Sequence, residues 1–229
     1  MKDHFTDTGF VLSRQNLGEH DRIIRIFSLQ HGSMSAIARG VRKSTSKLAS
    51  HMEPFQEVQW RFVGKNNLPV IIGAEIIRLT PPPSDIDQLW PAHAILELTD
   101  RSFTESETNQ AWYDFLTLGL PLISKGYAKT VWMIGLARSL DQLGLTPELP
   151  LDSDDLFFNL ATGAFTTQQG TTPISRRSLK LWQLSRTHAV DSIVRIKDIE
   201  SETQDLANLL EQFWVYHTGF NLKSRQLAV

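Results

Sequence analysis

Apolar and polar residues alternate along most of the first 80 positions, which is the pattern of strands that bury one face. Turn-forming sequences such as Asn16-Leu17-Gly18 and His31-Gly32-Ser33 separate the alternating runs. Only the connection from about Ser44 to Phe55 is long enough for a helical turn. Five antiparallel strands with a short helix after the third are typical of the OB-fold barrel, so the pattern predicts an OB-fold in residues 1–80. The five strands are expected near residues 10–13, 22–27, 34–38, 58–62 and 70–79.

The hydrophobic period changes after Pro81-Pro82-Pro83 to the three- and four-residue spacing of helices. Residues 81–229 are therefore predicted to form a second domain, an α-helical bundle. The stretch 150–172 departs from this period and indicates a small hairpin, held by three aromatic residues, Phe157, Phe158 and Phe165. The predicted fold is α+β in two domains, a barrel followed by a bundle.

Composition excludes several classes of protein. With 41% hydrophobic and 21% charged residues, the 229-residue chain has the usage of a folded globular protein. The absence of cysteine excludes disulfides, iron–sulfur clusters and cysteine-ligated zinc. No stretch approaches the roughly 20 apolar residues of a membrane helix, and the amino terminus lacks a secretory signal, so we expect a cytoplasmic protein.

The net charge of −2 is unevenly distributed. Residues 1–80 hold 11 Lys and Arg against 7 Asp and Glu, whereas residues 81–229 hold 12 against 18. The first domain is therefore basic, which favours a polyanionic partner.

The segment from Ile37 to Lys47 contains four cations, three hydroxyl side chains and no acid. Lys and Arg supply charge to phosphates, and Ser and Thr donate hydrogen bonds to them, so this segment predicts contact with a nucleic-acid backbone. A solvated loop without function is the alternative. Because the segment should lie at one end of the barrel beside other cations, we predict a nucleic-acid-binding site made of Arg39, Arg42, Lys43, Ser44, Lys47, Arg22, Arg25, Arg61 and Lys65.

Four aromatic residues of the barrel could stack on bases or fill its core. Trp60 and Phe62 share the parity of Val58, which favours the core. Phe27 and Phe55 are the better candidates for stacking.

No catalytic motif is present. The seven histidines form no HExxH pattern, and there is no phosphate-binding GxxxxGK[ST] loop, no GxGxxG and no GxSxG elbow. We therefore expect no metal and no cofactor. A hydrolase that assembles scattered His and Asp residues in space is the remaining enzymatic alternative, and it would act on DNA ends or phosphodiesters.

Residues at both ends of the chain resemble the bacterial recombination mediator family RecO. The resemblance begins with Thr8-Gly9-Phe10-Val11-Leu12 and Gly18-Glu19-His20-Asp21-Arg22, and continues through Ala38-Arg39-Gly40-Val41-Arg42-Lys43-Ser44 to Glu53-Pro54-Phe55. It returns at Gly219 and at Leu222-Lys223-Ser224-Arg225. The similarity therefore spans the chain and is strongest over residues 8–55 and 216–225.

The resemblance implies an OB domain on a helical domain, with no catalytic turnover. Members of the family bind single- and double-stranded DNA and anneal complementary strands. With RecR they help RecA to displace single-strand-binding protein at gaps, which would place this chain near the nucleoid. In some members the long central helix helps to receive the acidic, Phe-ended tail of single-strand-binding protein. Carried onto this sequence, that partner site would involve Lys129, Trp132, Arg138, Arg176 and Arg177.

The chain departs from the family pattern in two places. Many relatives hold four zinc-binding cysteines in the region corresponding to residues 150–172, and this chain has none, so the hairpin is expected to be free of metal. The central helix commonly opens with arginines before a Phe-Glu pair, whereas the equivalent stretch here reads Lys129-Thr130-Val131-Trp132. An OB-fold protein that acts as an adaptor between proteins, without a direct function on DNA, is the alternative reading, and the acidic second domain fits it.

Overall fold

The computed structural model describes residues 3–64, 68–150, 156–167, 172–197 and 199–228. The first five strands form a closed barrel in the order β1-β2-β3-β5-β4. They are β1 (His4–Leu17), β2 (Asp21–Ser28), β3 (Gly32–Ala38), β4 (Glu57–Val63) and β5 (Val70–Arg78). A 3₁₀ turn (Ala49–Met52) follows β3. The barrel, its strand order and the position of its short helix confirm the predicted OB-fold.

Apolar side chains at alternating positions of the strands point inward and fill the barrel. Ile24 and Ile26 on β2 and Trp60 and Phe62 on β4 point inward and are fully buried. Met52 from the 3₁₀ turn packs on the same core. The parity that favoured the core for Trp60 and Phe62 is therefore seen in the structure.

The chain divides into two compact units, and the first is larger than residues 1–80. It comprises residues 1–83 together with residues 99–120. Phe103 packs against Phe27 at a ring distance of 4.9 Å, and Tyr113 packs against Phe10 at 5.3 Å. The end of one helix and most of the next therefore belong to the barrel unit, although their period alone grouped them with the bundle.

The second unit comprises residues 84–98 and 121–229 and is mainly helical. Its core contains the buried side chains of Trp132, Trp182, Phe213 and Trp214. The six helices of the described chain are α1 (Ile86–Ser102), α2 (Gln110–Leu122), α3 (Ala128–Gln142), α4 (Arg176–Thr187), α5 (Val190–Ile193) and α6 (Ile199–Thr218). The described helices include none that is long and apolar enough to cross a membrane.

A small sheet occupies the region of the predicted hairpin. Its strands are β6 (Leu156–Asn159), β7 (Ala164–Thr166) and β8 (Thr172–Ile174), in the order β7-β6-β8. Phe158 is fully buried and packs on Phe165, Trp182 and Phe213. The rest of the predicted hairpin, residues 151–155 and 168–171, lies outside the described residues.

Candidate nucleic-acid interface

Residues 39–47, which we call the basic loop, leave the end of β3 and fold against the tip of the β1–β2 hairpin. Gly40 has a φ of +63°, a backbone conformation that side chains disfavour, and its N–H donates to Asp21 Oδ1 at 2.7 Å. The backbone N–H of Arg42 donates to the His20 carbonyl oxygen at 3.0 Å. These two bonds fix the start of the basic loop on the hairpin.

Apolar and ionic contacts hold the basic loop at the barrel. Val41 is buried in the barrel core, and Leu48 packs against the same core just beyond the loop. Arg14 of β1 forms an ion pair with Glu53 further along the connection. The loop is thus a fixed edge of the barrel, and its polar side chains point away from a buried anchor.

The charged side chains of the basic loop are exposed, and so is Ser44. Among the described residues, no carboxylate forms an ion pair with Arg39, Arg42, Lys43 or Lys47. Arg42 Nη1 donates to the Gly18 carbonyl oxygen at 2.8 Å, which leaves its charge unneutralised. Four positive charges therefore face solvent within nine residues of chain.

Arg61 lies two strands away from the start of the basic loop. Ile37, one residue before the end of β3, pairs in parallel with Val70, the first residue of β5. Arg61 pairs with Gly73 on the next strand. Arg61 therefore lies on β4, and β5 separates β4 from the end of β3 where the basic loop begins. Arg61 is exposed, and its charge adds to the same end of the barrel.

The other predicted cations of the barrel differ in their surroundings. Arg22 pairs with Ala38 at the end of β3, and its Nε lies 3.4 Å from Asn16 Oδ1, so it borders the basic loop without an acidic partner. Arg25 has a side chain only 19% exposed, and it forms ion pairs with Asp100 at 2.7 Å and Glu105 at 3.3 Å. We therefore remove Arg25 from the candidate site, because its charge is already matched. Lys65 lies outside the described residues.

The outer face of β2 and β3, where OB-folds commonly bind ligands, is covered by the protein itself at the end next to the β2–β3 turn. Phe103 lies on Phe27, and the backbone N–H of Ser106 donates to the Ser33 carbonyl oxygen at 2.9 Å. The Glu107 carbonyl oxygen occupies the position that a side chain on Gly32 would take. Residues 103–108 thus form a covering segment. The sequence analysis did not predict that this segment packs on the barrel.

Both candidates for base stacking are buried. Phe27 is covered by Phe103, and Phe55 is 3% exposed. In the described part of the first unit, every Phe, Trp and Tyr apart from Phe5 is buried, and Phe5 is half-buried against Phe62. The interface is therefore cationic, without an aromatic platform among the residues described.

Three of the residues expected to receive a partner's tail lie on different sides of α3: Lys129, Trp132 and Arg138. Trp132 is 2% exposed, and its Nε1 donates to Glu211 Oε2 at 3.2 Å. Arg138 Nε donates to the Ser185 carbonyl oxygen at 3.0 Å near the end of α4, and burial lowers the pKa of Arg138. Lys129 is exposed and precedes Arg138 by nine residues, which places the two on opposite sides of a helix with 100° per residue. These three residues do not form one pocket.

Arg176 and Arg177 are exposed in the first turn of α4. Arg177 donates to the Lys197 carbonyl oxygen at 2.8 Å. They remain candidates for contact with an acidic partner. Among the described residues, no three His, Asp or Glu side chains are grouped so that they could hold a metal ion.

Comparison with known proteins relates both halves of the chain to one family. The sequence model "Recombination protein O N terminal" matches residues 1–80, and "Recombination protein O C terminal" matches residues 83–226. "DNA repair protein RecO" from Exiguobacterium sp. is 24% identical over 232 residues, covering 96% of this chain and 93% of its own. The protein of the same name from Streptomyces avermitilis is 32% identical over 177 residues, covering 69% of this chain and 71% of its own.

Proposed function

The chain belongs to the RecO family of DNA repair proteins, and we propose that it binds and anneals DNA single strands without catalytic turnover. In this proposal it also helps RecR to load RecA at gaps covered by single-strand-binding protein, in the cytoplasm near the nucleoid. The observation that carries the proposal is the basic loop, where Arg39, Arg42, Lys43 and Lys47 are exposed and unpaired among the described residues.

Fixed, unpaired cations bind a phosphate backbone by displacing its condensed counterions. The anchoring of the basic loop by Val41 reduces the conformational entropy that binding would otherwise cost. Because contacts to phosphate carry no sequence information, the site would accept strands of any sequence. Two strands held near the same cations would repel each other less, and this lowers the barrier to pairing.

The cations without an ion pair among the described residues indicate the path of a bound DNA strand. A strand on the basic loop would pass Arg22, which pairs with Ala38 at the end of β3, and extend across β5 towards Arg61 on β4. It would not run over Phe27 and Ser33 on the outer face of β2 and β3, because the covering segment occupies that end of the face. The proposed DNA site therefore comprises Arg39, Arg42, Lys43, Ser44, Lys47, Arg22 and Arg61.

An acidic tail of single-strand-binding protein would bind the second unit through Arg176 and Arg177, with Lys129 as a separate candidate. Their exposure supports this assignment, whereas the burial of Trp132 and the engagement of Arg138 do not.

The test is the salt dependence of single-strand binding by a variant with Arg39, Arg42, Lys43 and Lys47 all changed to Glu. Each phosphate contact contributes about 0.7 to the slope of log affinity against log salt for single strands, so four contacts contribute about 3. Between about 50 and 200 mM salt, these contacts alone account for a loss of about 50-fold in the affinity of the unaltered protein. We expect the variant to bind weakly at both salt concentrations and to lose this part of the slope.

A matched control reverses four exposed cations of the second unit, Lys125, Lys180, Lys197 and Lys223. It changes the net charge by the same amount, and we expect it to keep the steep salt dependence. Equal losses in the two variants, or an affinity of the unaltered protein that does not change with salt, would contradict the proposal. Fluorescence-quenched annealing of complementary strands separates the adaptor alternative, because an adaptor would leave the spontaneous annealing rate unchanged.

A further inference from the structure

Two bulges interrupt the pairing of β4 with β5, and each pushes an isoleucine outward. Arg61 pairs with Gly73 while Phe62 pairs with Ile71, so Ile72 is an extra residue. Glu57 pairs with Arg78 while Val58 pairs with Ile76, so Ile77 is a second extra residue. Ile72 is 48% exposed and Ile77 is 51% exposed. The two side chains are alike in type, in exposure and in local backbone irregularity.

Each bulge lies beside an arginine, and the two arginines differ in their partners. Ile72 directly precedes Gly73, the partner of Arg61, and Arg61 forms no ion pair with a described carboxylate. Ile77 lies five residues further along β5, about 16 Å away if that stretch is extended. Ile77 directly precedes Arg78, whose Nε lies 3.2 Å from Glu57 Oε2, so the cation beside Ile77 is already paired and the cation beside Ile72 is not.

Gly73 allows the guanidinium of Arg61 to lie against the sheet. A Cβ on residue 73 would come within 2.5 Å of both Nε and Nη2 of Arg61, so any side chain there would displace the guanidinium. Arg61 forms no ion pair with a described carboxylate, and Glu75, two residues beyond Gly73, does not reach it. The absence of a side chain at residue 73 thus places an unpaired, planar cation next to Ile72.

We propose, resting on the DNA-binding function above, that Arg61 and Ile72 form a subsite for an unpaired nucleobase, with Gly73 as the residue that positions Arg61. Bases splayed out of a single strand pack on arginine planes as well as on aromatic rings, and the described aromatic rings of this unit are not available. An aliphatic side chain beside the guanidinium adds apolar contact, for instance with a thymine methyl group. A base can enter this subsite only when it is not paired, so the subsite favours single strands over duplex.

The test compares an oligothymidylate of about 12 nucleotides with a sugar-phosphate oligomer of equal length and charge that carries no bases. We expect the unaltered protein to bind the oligothymidylate at least about fivefold more tightly, the low end of what one stacked base contributes. Ile72→Ser, Arg61→Lys and Gly73→Ala should each remove most of this difference. For Ile72→Ser, which changes no charge and no residue of the cationic DNA site, the affinity for the base-free oligomer should stay within about twofold.

Ile77→Ser is the matched control, since it makes the same substitution at the other bulge. It should leave the affinity for both oligomers unchanged. The inference would be overturned if the unaltered protein bound both oligomers equally, or if Ile77→Ser cost as much as Ile72→Ser. Failure of the proposed function has a different signature: the unaltered protein would then bind neither oligomer, or reversal of the basic loop would leave binding to both intact.

Discussion

The aromatic cluster around Phe158 provides a direct test of how the small sheet is held in the second unit. Phe158 lies in the central strand β6 and is fully buried. Its ring centroid is 5.0 Å from those of Phe165 and Phe213 and 5.7 Å from that of Trp182. The cluster therefore joins the sheet to α4 and α6. Phe158→Ala removes the ring that all three contacts share.

The expected cost follows from burial. Replacing a fully buried Phe by Ala costs about 3–5 kcal/mol, made up of lost transfer energy and the cavity that remains. Three aromatic neighbours place this site towards the upper end of that range, because each edge contact contributes about 0.5–1.5 kcal/mol beyond burial. For a chain of this length, each kcal/mol shifts the Tm by about 2–4 °C. We therefore expect Phe158→Ala to lower the Tm by about 6–20 °C.

Thermal and urea unfolding, followed by circular dichroism, measure this loss. Phe157→Ala is the matched control, because Phe157 is the next residue of β6, faces the other side of the sheet and is only half-buried. Phe157→Ala should lower the free energy of unfolding by less than about half as much as Phe158→Ala does. A chelator should leave the Tm of the unaltered protein unchanged, since aromatic packing is what holds the sheet. Equal losses in the two variants, or a Tm that falls in chelator, would refute this reasoning.

Two further predictions concern ionisable groups of the first unit. Arg25→Gln leaves Asp100 and Glu105 without their cation, so urea unfolding should show a loss of about 1–3 kcal/mol while the affinity for single-stranded DNA stays within about twofold. Burial, together with the hydrogen bond from Tyr113 to Glu57, raises the pKa of Tyr113, so the native protein keeps this proton after the unfolded chain has lost it near pH 10. The free energy of unfolding should therefore fall above pH 10 by up to about 1.4 kcal/mol per pH unit, and Tyr113→Phe should remove that slope; parallel slopes in the two proteins would contradict the assignment.

The barrel could be predicted because the sequence features that specify it lie close together along the chain. Strand alternation, turn glycines and a connection of the right length are all read within a few residues of one another. The boundary of the barrel unit was harder to predict from the sequence. The period of a helix shows that one face is buried, but it does not show what buries it, so the packing of Phe103 on Phe27 could not be read from the sequence.

The same distinction separates the site residues. The basic loop was visible because its cations are contiguous in sequence and require no distant residue to become exposed. Arg25 looked equivalent in sequence, yet its partner Asp100 lies 75 residues away and neutralises it. The surroundings of Arg61 depend on the register of β4 against β5, because the bulge at Ile72 shifts that register next to Arg61. A cation in a strand therefore cannot be assigned to DNA before its neighbours across the sheet are known.

Net charge does not decide whether this chain can hold a polyanion. The chain carries −2 overall, but charges interact over a Debye length of only about 8–10 Å near physiological salt. Within that distance a phosphate on the basic loop meets the cations of the loop, which form no ion pair with a described carboxylate. The covering segment has a related effect, because it supplies Glu105 to Arg25 and covers Phe27 and Ser33 on the outer face of β2 and β3. The exposed cations of the barrel unit that form no ion pair with a described carboxylate include those of the basic loop and Arg61, so local pairing, more than composition, determines where a strand would bind.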